Sequence, residues 1–335
     1  MSIPSSFRAF RIHGKTDAGW RAGLESLSFD ALTEGDVVIR AEYSSVNYKD
    51  ALAGTGRGAI LKKYPLNGGI DVAGTVAASQ VAHIKEGDRV IVTGCGLSET
   101  LDGGYSEYVR VPASAVIPLP SGLSPKESMI LGTAGYTAAL ALLRMERLGQ
   151  CPEQGPIVIT GASGGVGTIA INLFTKAGYE VHAITGKFEE QLDFLTQLGA
   201  KQVISRKNLH WGKRPLEKAT WAGALDGVGG EMLEGLTRTI QPYGNIASYG
   251  MAGGSELHTT VMPFILRGVS IIGIAASGSQ RADREAVWEK LGDAWKPDRL
   301  DAIFKREISL DELPDAFATM MAGQALGRIV VKIAA

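Results

Sequence analysis

The sequence predicts an α/β fold in which a doubly wound parallel sheet accompanies a separate, barrel-like β domain. Three observations predict it: the first third of the chain reads as short strands with glycine and proline turns, the rest alternates strands with helices, and a glycine-rich turn links one strand to one helix. At 335 residues, the chain also exceeds the usual size of a single hydrophobic core. We therefore expect two domains, one of which interrupts the other.

The first domain ends where the composition of the chain changes. Residues 37–43 and 89–93 read as strands between turn residues. After the proline-rich stretch 118–125, apolar residues recur at helical spacing over 126–148. We therefore assign residues 1–125 to the barrel-like domain, 126–267 to a nucleotide-binding domain, and 268–335 to the last strand of that domain and a return to the first.

The second domain alternates strands and helices. This alternation predicts a parallel sheet with right-handed crossovers. The predicted strands are 157–160, 180–185, 202–204, 223–226, 244–249 and 269–274, and the predicted helices include 166–177 and 189–198. The tail, with an amphipathic stretch at 310–321 and a strand at 328–333, is expected to rejoin the first domain.

The charge and composition of the chain exclude several classes of partner. The 34 basic and 35 acidic residues are interspersed and give a formal charge of -1, so we expect no nucleic-acid partner. The segment from Met1 to Arg8 lacks a hydrophobic stretch, and the chain shows no long uncharged run, so we expect a cytoplasmic protein without a membrane partner. The two cysteines and five histidines are poorly spaced for a metal, so none is expected.

The glycine-rich turn Thr160–Gly167 predicts a dinucleotide site. A dinucleotide-binding turn must leave its strand sharply, approach a pyrophosphate closely, and let the next helix pack on the sheet. The helix N-terminus also supplies amide donors for phosphate. The alternative is a turn that serves packing alone. The predicted cofactor-binding residues here are Ala162, Ser163, Gly164, Gly165, Val166 and Gly167.

The end of the next strand discriminates between the two nicotinamide cofactors. NAD-binding proteins place an acidic residue there, whereas this chain has Thr185, Gly186 and Lys187. A hydroxyl and an ammonium group favour a 2′-phosphate, and Arg206 adds a second cation, so NADPH is the expected cofactor. Two alternatives stay open: Lys187 and Arg206 are ordinary surface charges, or the acidic pair at 189–190 serves NAD.

Five segments resemble one family of reductases over essentially the whole chain. Residues 44–52, 69–76, 132–138, 221–224 and 259–267 are similar to the acrylyl-CoA reductase family, long labelled putative quinone oxidoreductases, within the medium-chain dehydrogenase/reductase superfamily. The resemblance implies a GroES-like first domain that carries catalysis and a Rossmann second domain.

The resemblance also implies a zinc-independent reaction. Zinc-containing relatives carry a cysteine near Asn47 and a Gly-His-Glu motif where this chain has Gly69-Ile70-Asp71. The activity that the resemblance implies is NADPH-dependent reduction of the C=C bond of acrylyl-CoA to propanoyl-CoA, with hydride added to the β-carbon and a proton to the α-carbon. Two alternatives remain: a quinone or enone reductase, and a non-catalytic NADPH-binding redox sensor.

Site residues outside the glycine-rich turn follow from the resemblance. Asn47 and Tyr48 are the candidate catalytic residues; Tyr48 could donate a proton, pack on the nicotinamide, or simply lie in the core. Lys49 and Asp50 are expected to form a local surface pair. The further cofactor contacts implied are Tyr48, Thr133, Gly250, Met251, Ile265, Ala276, Ser277 and Gly327.

Two partners are expected beyond the cofactor. The acyl-CoA thioester is the implied substrate, and the basic stretch containing Arg57, Lys62 and Lys63 is either a contact for its phosphates or an ordinary solvated loop. The apolar strand 269–274 falls where relatives pair edge to edge, so a homodimer is expected.

Overall fold

The computed structural model describes residues 4–333, so the first three residues of the N-terminal segment lie outside it. The strands, in chain order, are β1 (Phe7–Thr16), β2 (Gly19–Leu27), β3 (Val37–Ser45), β4 (Leu66–Asn67), β5 (Asp71–Ser79), β6 (Arg89–Thr93), β7 (Tyr108–Val111), β8 (Ile117–Pro118), β9 (Ile157–Ile159), β10 (Val181–Thr185), β11 (Gln202–Ser205), β12 (Trp221–Asp226), β13 (Ile240–Ser248), β14 (Ser270–Gly273), β15 (Phe304–Ile308) and β16 (Arg328–Lys332). The α-helices are α1 (Tyr48–Thr55), α2 (Pro125–Arg147), α3 (Gly165–Lys176), α4 (Phe188–Gln197), α5 (Gly230–Thr239), α6 (Met262–Arg267), α7 (Arg281–Leu291), α8 (Leu300–Ile303) and α9 (Leu313–Met321).

The chain divides into two compact units. Within the described residues, the first unit comprises 4–133, 277–292 and 304–333, and the second comprises 134–276 and 293–303. The division falls after Thr133, inside α2, rather than near residue 125, because the first turns of this helix pack with the β sheets of the first unit. The short return at 293–303 brings α8 back against α3.

The first unit is built from two sheets. β2, β1 and β4 form a three-stranded sheet, and a larger sheet has the order β15-β16-β3-β5-β6-β8, with β7 also paired to β3. Alternating apolar side chains of β3 and β5 are buried in one core with residues of α1 and α9. The C-terminal strand β16 pairs with β3 in antiparallel register, so the tail rejoins the first unit as the sequence predicted.

The second unit contains a single parallel sheet with the order β11-β10-β9-β12-β13-β14. The first of these strands in the chain, β9, lies in the interior, and the chain winds outward from it on both sides. All three side chains of β9, Ile157–Ile159, are buried, as expected for a central strand covered on both faces. The prediction of a doubly wound α/β domain is confirmed.

Helix α2 is broken at Gly132, although the sequence predicted one continuous helix. Gly132 has φ 51° and ψ −154°, which L side chains rarely adopt. A Cβ at this position would also lie 2.6 Å from Oδ2 of Asp71. Glycine is therefore required here for both its conformation and its lack of a side chain.

Among the described residues, α2 is also the one helix that is long and apolar enough to cross a membrane, with a mean hydropathy of 1.2 over the relevant window. Within that window, 83% of the helix is buried inside the protein. Its apolar side chains are therefore used in packing, as in the core helix of a globular fold.

Candidate functional site

The glycine-rich turn leaves β9 and enters α3 in the second unit, as the dinucleotide motif requires. Gly161 has a φ of 59°, and Gly164 caps α3 in an extended conformation. The first amide groups of α3, at residues 165–167, have no acceptor within the helix. They point out of a helix N-terminus, where the dipole favours an anion.

Gly167 is where the helix passes closest to the turn. A Cβ on Gly167 would lie 2.5 Å from the carbonyl oxygen of Gly161 and 2.7 Å from the backbone of Ala162. Ala162 itself is buried and donates its N–H to the carbonyl of Ile184 at 3.2 Å. Ala162 therefore occupies the first position of the motif without strain, whereas the third position admits only glycine.

A buried carboxylate ties this turn to the loop after β12. The hydroxyl of Thr160 donates to Oδ1 of Asp226 at 2.6 Å and accepts from the N–H of Gly227 at 3.1 Å. The other carboxylate oxygen accepts from the N–H of Gly229 at 2.9 Å. Burial raises the pKa of Asp226, while these donors act in the opposite direction. The two loops at this edge of the sheet are thus held in one arrangement.

The structure brings together the residues predicted to select the cofactor. Thr185 ends β10, and its hydroxyl accepts from the N–H of Lys187 at 3.1 Å. A Cβ on Gly186 would lie 3.7 Å from the Cζ and Nη2 atoms of Arg206, so the guanidinium group lies against this glycine. Thr185, Lys187 and Arg206 therefore all lie at the ends of β10 and β11, with the guanidinium group of Arg206 against Gly186.

The remaining predicted cofactor contacts of the second unit differ in burial. Gly250 packs tightly, since a Cβ there would lie 2.5 Å from the carbonyl oxygen of Gly227. Met251 and Ile265 are 70% and 72% exposed, and Ala276 is buried. The two exposed apolar side chains are accessible to a ligand.

In the first unit, Asn47 and Asp50 form the N-terminal cap of α1. The Asp50 carboxylate accepts from the backbone N–H of Asn47 at 2.9 Å, from the Asn47 amide at 3.1 Å, and from the N–H of Ile70 at 2.9 Å. Together with Asp50 at the third helical position, Asn47 completes a capping box. The start of α1 is therefore fixed by buried polar contacts.

Asp71, the first residue of β5, accepts hydrogen bonds from three residues in two separate parts of the chain. Its carboxylate accepts from the hydroxyl of Ser45 at 2.5 Å, from the amide of Asn47 at 2.8 Å, and from both the N–H and the hydroxyl of Thr133, the latter at 2.6 Å. The N–H of Thr133 begins the second part of α2, so the carboxylate caps that helix. Asp71 is fully buried.

Arg328, at the start of β16, supplies the positive charge beside these carboxylates. Its Nη1 donates to the amide oxygen of Asn47 at 3.1 Å, and its Nε donates to the carbonyl of Ile130 at 2.8 Å. Its Nη2 atom is buried and has no hydrogen-bond partner among the described residues. We call the set Ser45, Asn47, Asp50, Asp71, Thr133 and Arg328 the polar cluster.

Burial shifts the proton affinities of the polar cluster. It raises the pKa of Asp50 to about 7, and the charge of Asp71 acts in the same direction. Burial lowers the pKa of Arg328, which the two carboxylates oppose. Burial also raises the pKa of Tyr105, whose hydroxyl donates to the carbonyl of Ser45 at 2.9 Å.

The two predicted catalytic residues differ in their availability. Both polar atoms of the Asn47 side chain are engaged within the polar cluster, and the residue is 9% exposed. Tyr48 is 50% exposed at the first position of α1. Asn47 thus holds the helix start, while Tyr48 presents its ring and hydroxyl to the outside of the unit.

The expectation that Lys49 and Asp50 form a surface pair is wrong. Asp50 is 1% exposed and is a member of the polar cluster. Lys49 forms an ion pair with Glu99 instead. Adjacent residues on a helix point in different directions, so one side chain faces the interior and the other faces solvent.

The other predicted contacts of the first unit are Thr133, Ser277 and Gly327. Thr133 is held by Asp71, and the carbonyl of Ser277 accepts from the N–H of Cys95 at 3.2 Å. Gly327 has a φ of 58° and immediately precedes β16. These three residues therefore lie at backbone turning points.

Sequence reasoning assigned no functional role to Asp71 or Asp226, and the resemblance alone implied that Arg328, together with Gly327, closes the cofactor cleft. Asp50 carried a readable signal, because an acid three residues after Asn47 is a capping-box pattern. Asp71 and Arg328 are separated by most of the chain, so no local pattern connects them. They come to lie in one cluster because β3 has β5 as its antiparallel neighbour on one side and β16 on the other.

Comparison with known proteins agrees with this architecture. Residues 33–121 match the alcohol dehydrogenase GroES-like domain family, and residues 165–293 match the zinc-binding dehydrogenase family. The chain is 46% identical over 311 residues to a putative quinone oxidoreductase, YhfP, of Bacillus subtilis, covering 92% of this chain and 94% of the relative. It is 42% identical over 321 residues to the acrylyl-CoA reductase AcuI of Ruegeria pomeroyi, covering 96% of each.

The chain belongs to the medium-chain dehydrogenase/reductase family. Within it, the protein is similar to acrylyl-CoA reductases and to putative quinone oxidoreductases at comparable identity.

Solved structures of relatives share the whole fold. The YhdH oxidoreductase of Salmonella enterica, solved in complex with NADP, is 40% identical with a TM-score of 0.93 and covers 98% of this chain and 100% of its own. The Bacillus subtilis YhfP protein, solved with NAD bound, is 44% identical with a TM-score of 0.94 over the same shares. The chain is therefore an oxidoreductase of a family that binds nicotinamide cofactors.

Proposed function

We propose that the protein is an NADPH-dependent acrylyl-CoA reductase, which reduces the C=C bond of the thioester to give propanoyl-CoA. The observation that carries this proposal is the 42% identity, over 96% of both chains, to a relative named as an acrylyl-CoA reductase. In the reaction, NADPH supplies hydride to the β-carbon, and a proton is added at the α-carbon of the resulting enolate.

The residues of the second unit fit a 2′-phosphorylated dinucleotide. The close approach of Gly167 to Gly161 leaves backbone N–H groups for the pyrophosphate. Lys187 and Arg206 follow β10 and β11, whose ends are where a 2′-phosphate would be recognised. Both side chains carry a positive charge, which attracts the phosphate. Relatives solved with NADP or NADPH support this assignment.

In the first unit, Tyr48 is the proposed residue in contact with nicotinamide and substrate. The exposed side chain of Tyr48 is accessible to a ligand. Its position at the start of α1 is fixed by the cap that Asn47 and Asp50 form. Asn47 then acts by positioning, since both polar atoms of its side chain are engaged with neighbours. Orientation of the reacting groups is the main contribution that such a protein makes.

Arg328 is a further candidate for contact with a ligand oxygen. A buried guanidinium N–H without a protein acceptor is rare and costly, by about 1–3 kcal/mol. Nη2 of Arg328 lies against Gly132, where a Cβ would stand 3.0 Å from it. The glycine leaves this donor unobstructed by a side chain, which suits an oxygen of the cofactor or the substrate.

The test is to follow NADPH oxidation with acrylyl-CoA, crotonyl-CoA and a simple quinone in parallel. We expect acrylyl-CoA to have the highest kcat/KM and to yield propanoyl-CoA. Rapid turnover of the quinone without turnover of acrylyl-CoA would refute the proposal.

A quinone or enone reductase is the second candidate function. The 46% identity to a relative named as a putative quinone oxidoreductase favours it. Both candidates use the same hydride donor, and they differ in whether the acceptor carries CoA. A crotonyl-CoA rate close to the acrylyl-CoA rate would indicate a broader enoyl-CoA acceptor range.

We also propose that the protein forms a homodimer through β14. This strand is at the edge of the six-stranded sheet and, within the described chain, pairs only with β13. Next to it in sequence, α6 exposes Ile265 and Leu266. An uncovered sheet edge is an aggregation hazard, so we expect a second copy of the chain to cover β14. Light scattering of the wild-type protein should therefore give the mass of a dimer. The variant Ile271→Pro, which disrupts this edge strand, should give the mass of a monomer.

A further inference from the structure

The surface next to α1 carries uncompensated positive charge. Residues 51–70 contain no Asp or Glu, whereas they include Arg57, Lys62 and Lys63. All three side chains are exposed, and none has an ion-pair partner among the residues that the structure describes. A stretch of exposed cations without an acidic residue leaves its positive charge locally uncompensated, so this segment is a candidate anion-binding surface.

An aromatic pair, the exposed Tyr64 and the partly buried Trp20, borders these cations. Tyr64 directly follows Lys63 and is 44% exposed. Its ring meets that of Trp20 edge to face, with centroids 5.9 Å apart, and it packs against the backbone of Gly14. Trp20 is itself held by a hydrogen bond from Nε1 to the carbonyl of Gly54 at 3.0 Å. The aromatic rings are therefore rigidly supported beside a basic surface, an arrangement suited to stacking a base next to phosphates.

This surface is continuous with the start of α1. The backbone N–H of Lys62 donates to the carbonyl of Glu99 at 2.7 Å. The Glu99 side chain in turn pairs with Lys49, which follows Tyr48 on the helix. Contacts within the first unit therefore connect the helix start at Tyr48, the proposed substrate contact, to the segment that carries the cations and the aromatic pair.

We propose that Arg57, Lys62, Lys63 and Tyr64 bind the nucleotide end of a CoA thioester. The cations face its 3′-phosphate and diphosphate, and Tyr64 stacks on the adenine. The inference rests on the proposed function and deepens it, because it names the surface by which this protein distinguishes a CoA thioester from a simple activated alkene. Exposed cations contribute through charge, so the effect is screened by salt.

The test compares acrylyl-CoA with acrylyl-pantetheine, which has the same reacting group and arm but lacks the nucleotide. The wild-type protein should favour the CoA thioester in kcat/KM. In the double variant Lys62→Glu/Lys63→Glu, this preference should fall by roughly tenfold or more, mainly through KM. Tyr64→Ala should lower the preference by a smaller factor. Adenosine 3′,5′-bisphosphate should inhibit the wild-type protein competitively with respect to acrylyl-CoA, and the double variant more weakly.

A matched charge reversal provides the control. Lys85→Glu/Arg89→Glu changes the same number of exposed cations at the hairpin between β5 and β6, and it should leave the preference unchanged. Equal kcat/KM for the two thioesters in the wild-type protein, or the same loss in both double variants, would overturn the inference while the proposed function stands. No turnover of either thioester would instead overturn the proposed function.

Discussion

The glycine-rich turn of the second unit is defined by backbone, whereas the polar cluster of the first unit is defined by side chains. At the turn, the decisive contacts are the close approach of Gly167 to Gly161 and the amides at the start of α3. In the polar cluster, Asp71 and Arg328 join segments that are far apart in the chain. The glycine-rich turn therefore depends on the absence of side chains, whereas the polar cluster depends on hydrogen bonds that satisfy buried charged groups.

The largest effect is expected from breaking the polar cluster. Asp71→Ala removes the acceptor of the Ser45, Asn47 and Thr133 donors, and it leaves Arg328 with less compensating charge. Loss of one partner of a buried charged network costs about 3–5 kcal/mol. We expect the free energy of unfolding, measured by urea denaturation, to fall by that amount.

An exposed carboxylate provides the control for this variant. Asp311 pairs with Arg8 at 2.8 Å on the surface, and both side chains are more than half exposed. Asp311→Ala should cost less than about 1 kcal/mol. A similar loss in both variants would mean that the polar cluster adds nothing beyond an ordinary ion pair.

A smaller effect is expected from filling the turn of the second unit. Gly167→Ala introduces a Cβ that would lie 2.5 Å from a backbone oxygen, which cannot move aside as a side chain can. We expect a loss of about 1–3 kcal/mol in stability, as for an overpacked site, and weaker NADPH binding in a fluorescence titration. Gly23→Ala, where a Cβ meets nothing within 4 Å, is the matched control and should be nearly neutral. Unchanged NADPH affinity in Gly167→Ala would argue against the glycine-rich turn as the NADPH-binding site.

The pH dependence of stability tests the buried carboxyl group of the polar cluster. The pKa of Asp50 is about 7 in the folded protein, above its value in an unfolded chain, so the folded state retains the proton to higher pH. Stability from this group is present below about pH 4 and is lost as the pH rises toward 7. Between pH 5 and 7, the loss should amount to about 2 kcal/mol.

Asp50→Asn isolates this contribution. The variant is expected to be less stable at every pH, because its amide faces the donors of Asn47 and Ile70. The informative quantity is the slope of unfolding free energy against pH, which should be flatter than in the wild-type protein. An unchanged slope would show that Asp50 does not titrate in this range.

The smallest effect concerns the charges that follow β10 and β11. Lys187→Glu or Arg206→Glu should raise KM for NADPH by roughly tenfold, or about 1.4 kcal/mol, because a carboxylate repels the 2′-phosphate. KM for NADH should change little. Equal changes for both cofactors would contradict the assignment of these residues to the phosphate.

Much of the second unit could be predicted because its signals are local. Apolar runs such as Ile157–Ile159, the glycine-rich turn and the helix after it follow one another in the chain. Each strand and helix that was predicted there lies within a few residues of its predicted position, whereas α5, α6 and α8 had no prediction. The NADPH prediction rests on residues just beyond these strands, and it agrees with the relatives solved with NADP or NADPH. The periodicity of apolar residues and the identity of turn residues are sufficient to predict such strands and helices.

The first unit contains features that local sequence patterns did not predict. Residues 126–148 read as one helix, and the break at Gly132 was missed because apolar spacing continues across it. Asp50 was interpreted as a surface residue because a charged side chain is usually exposed. The two errors have separate tertiary causes: the carboxylate of Asp71 accepts from the N–H of Thr133 at the break in α2, whereas Asp50 is buried because Asn47 and the N–H of Ile70 donate to it.

The sequence by itself determined the fold class, the dinucleotide turn and the preference for a phosphorylated cofactor, because these depend on residues adjacent in the chain. Only the tertiary structure decided that both polar atoms of the Asn47 side chain are engaged by buried neighbours, and that Asp50, Asp71 and Arg328 lie in one cluster. A buried charge is tolerated only where partners meet it, and those partners are brought by strand pairing between β3, β5 and β16.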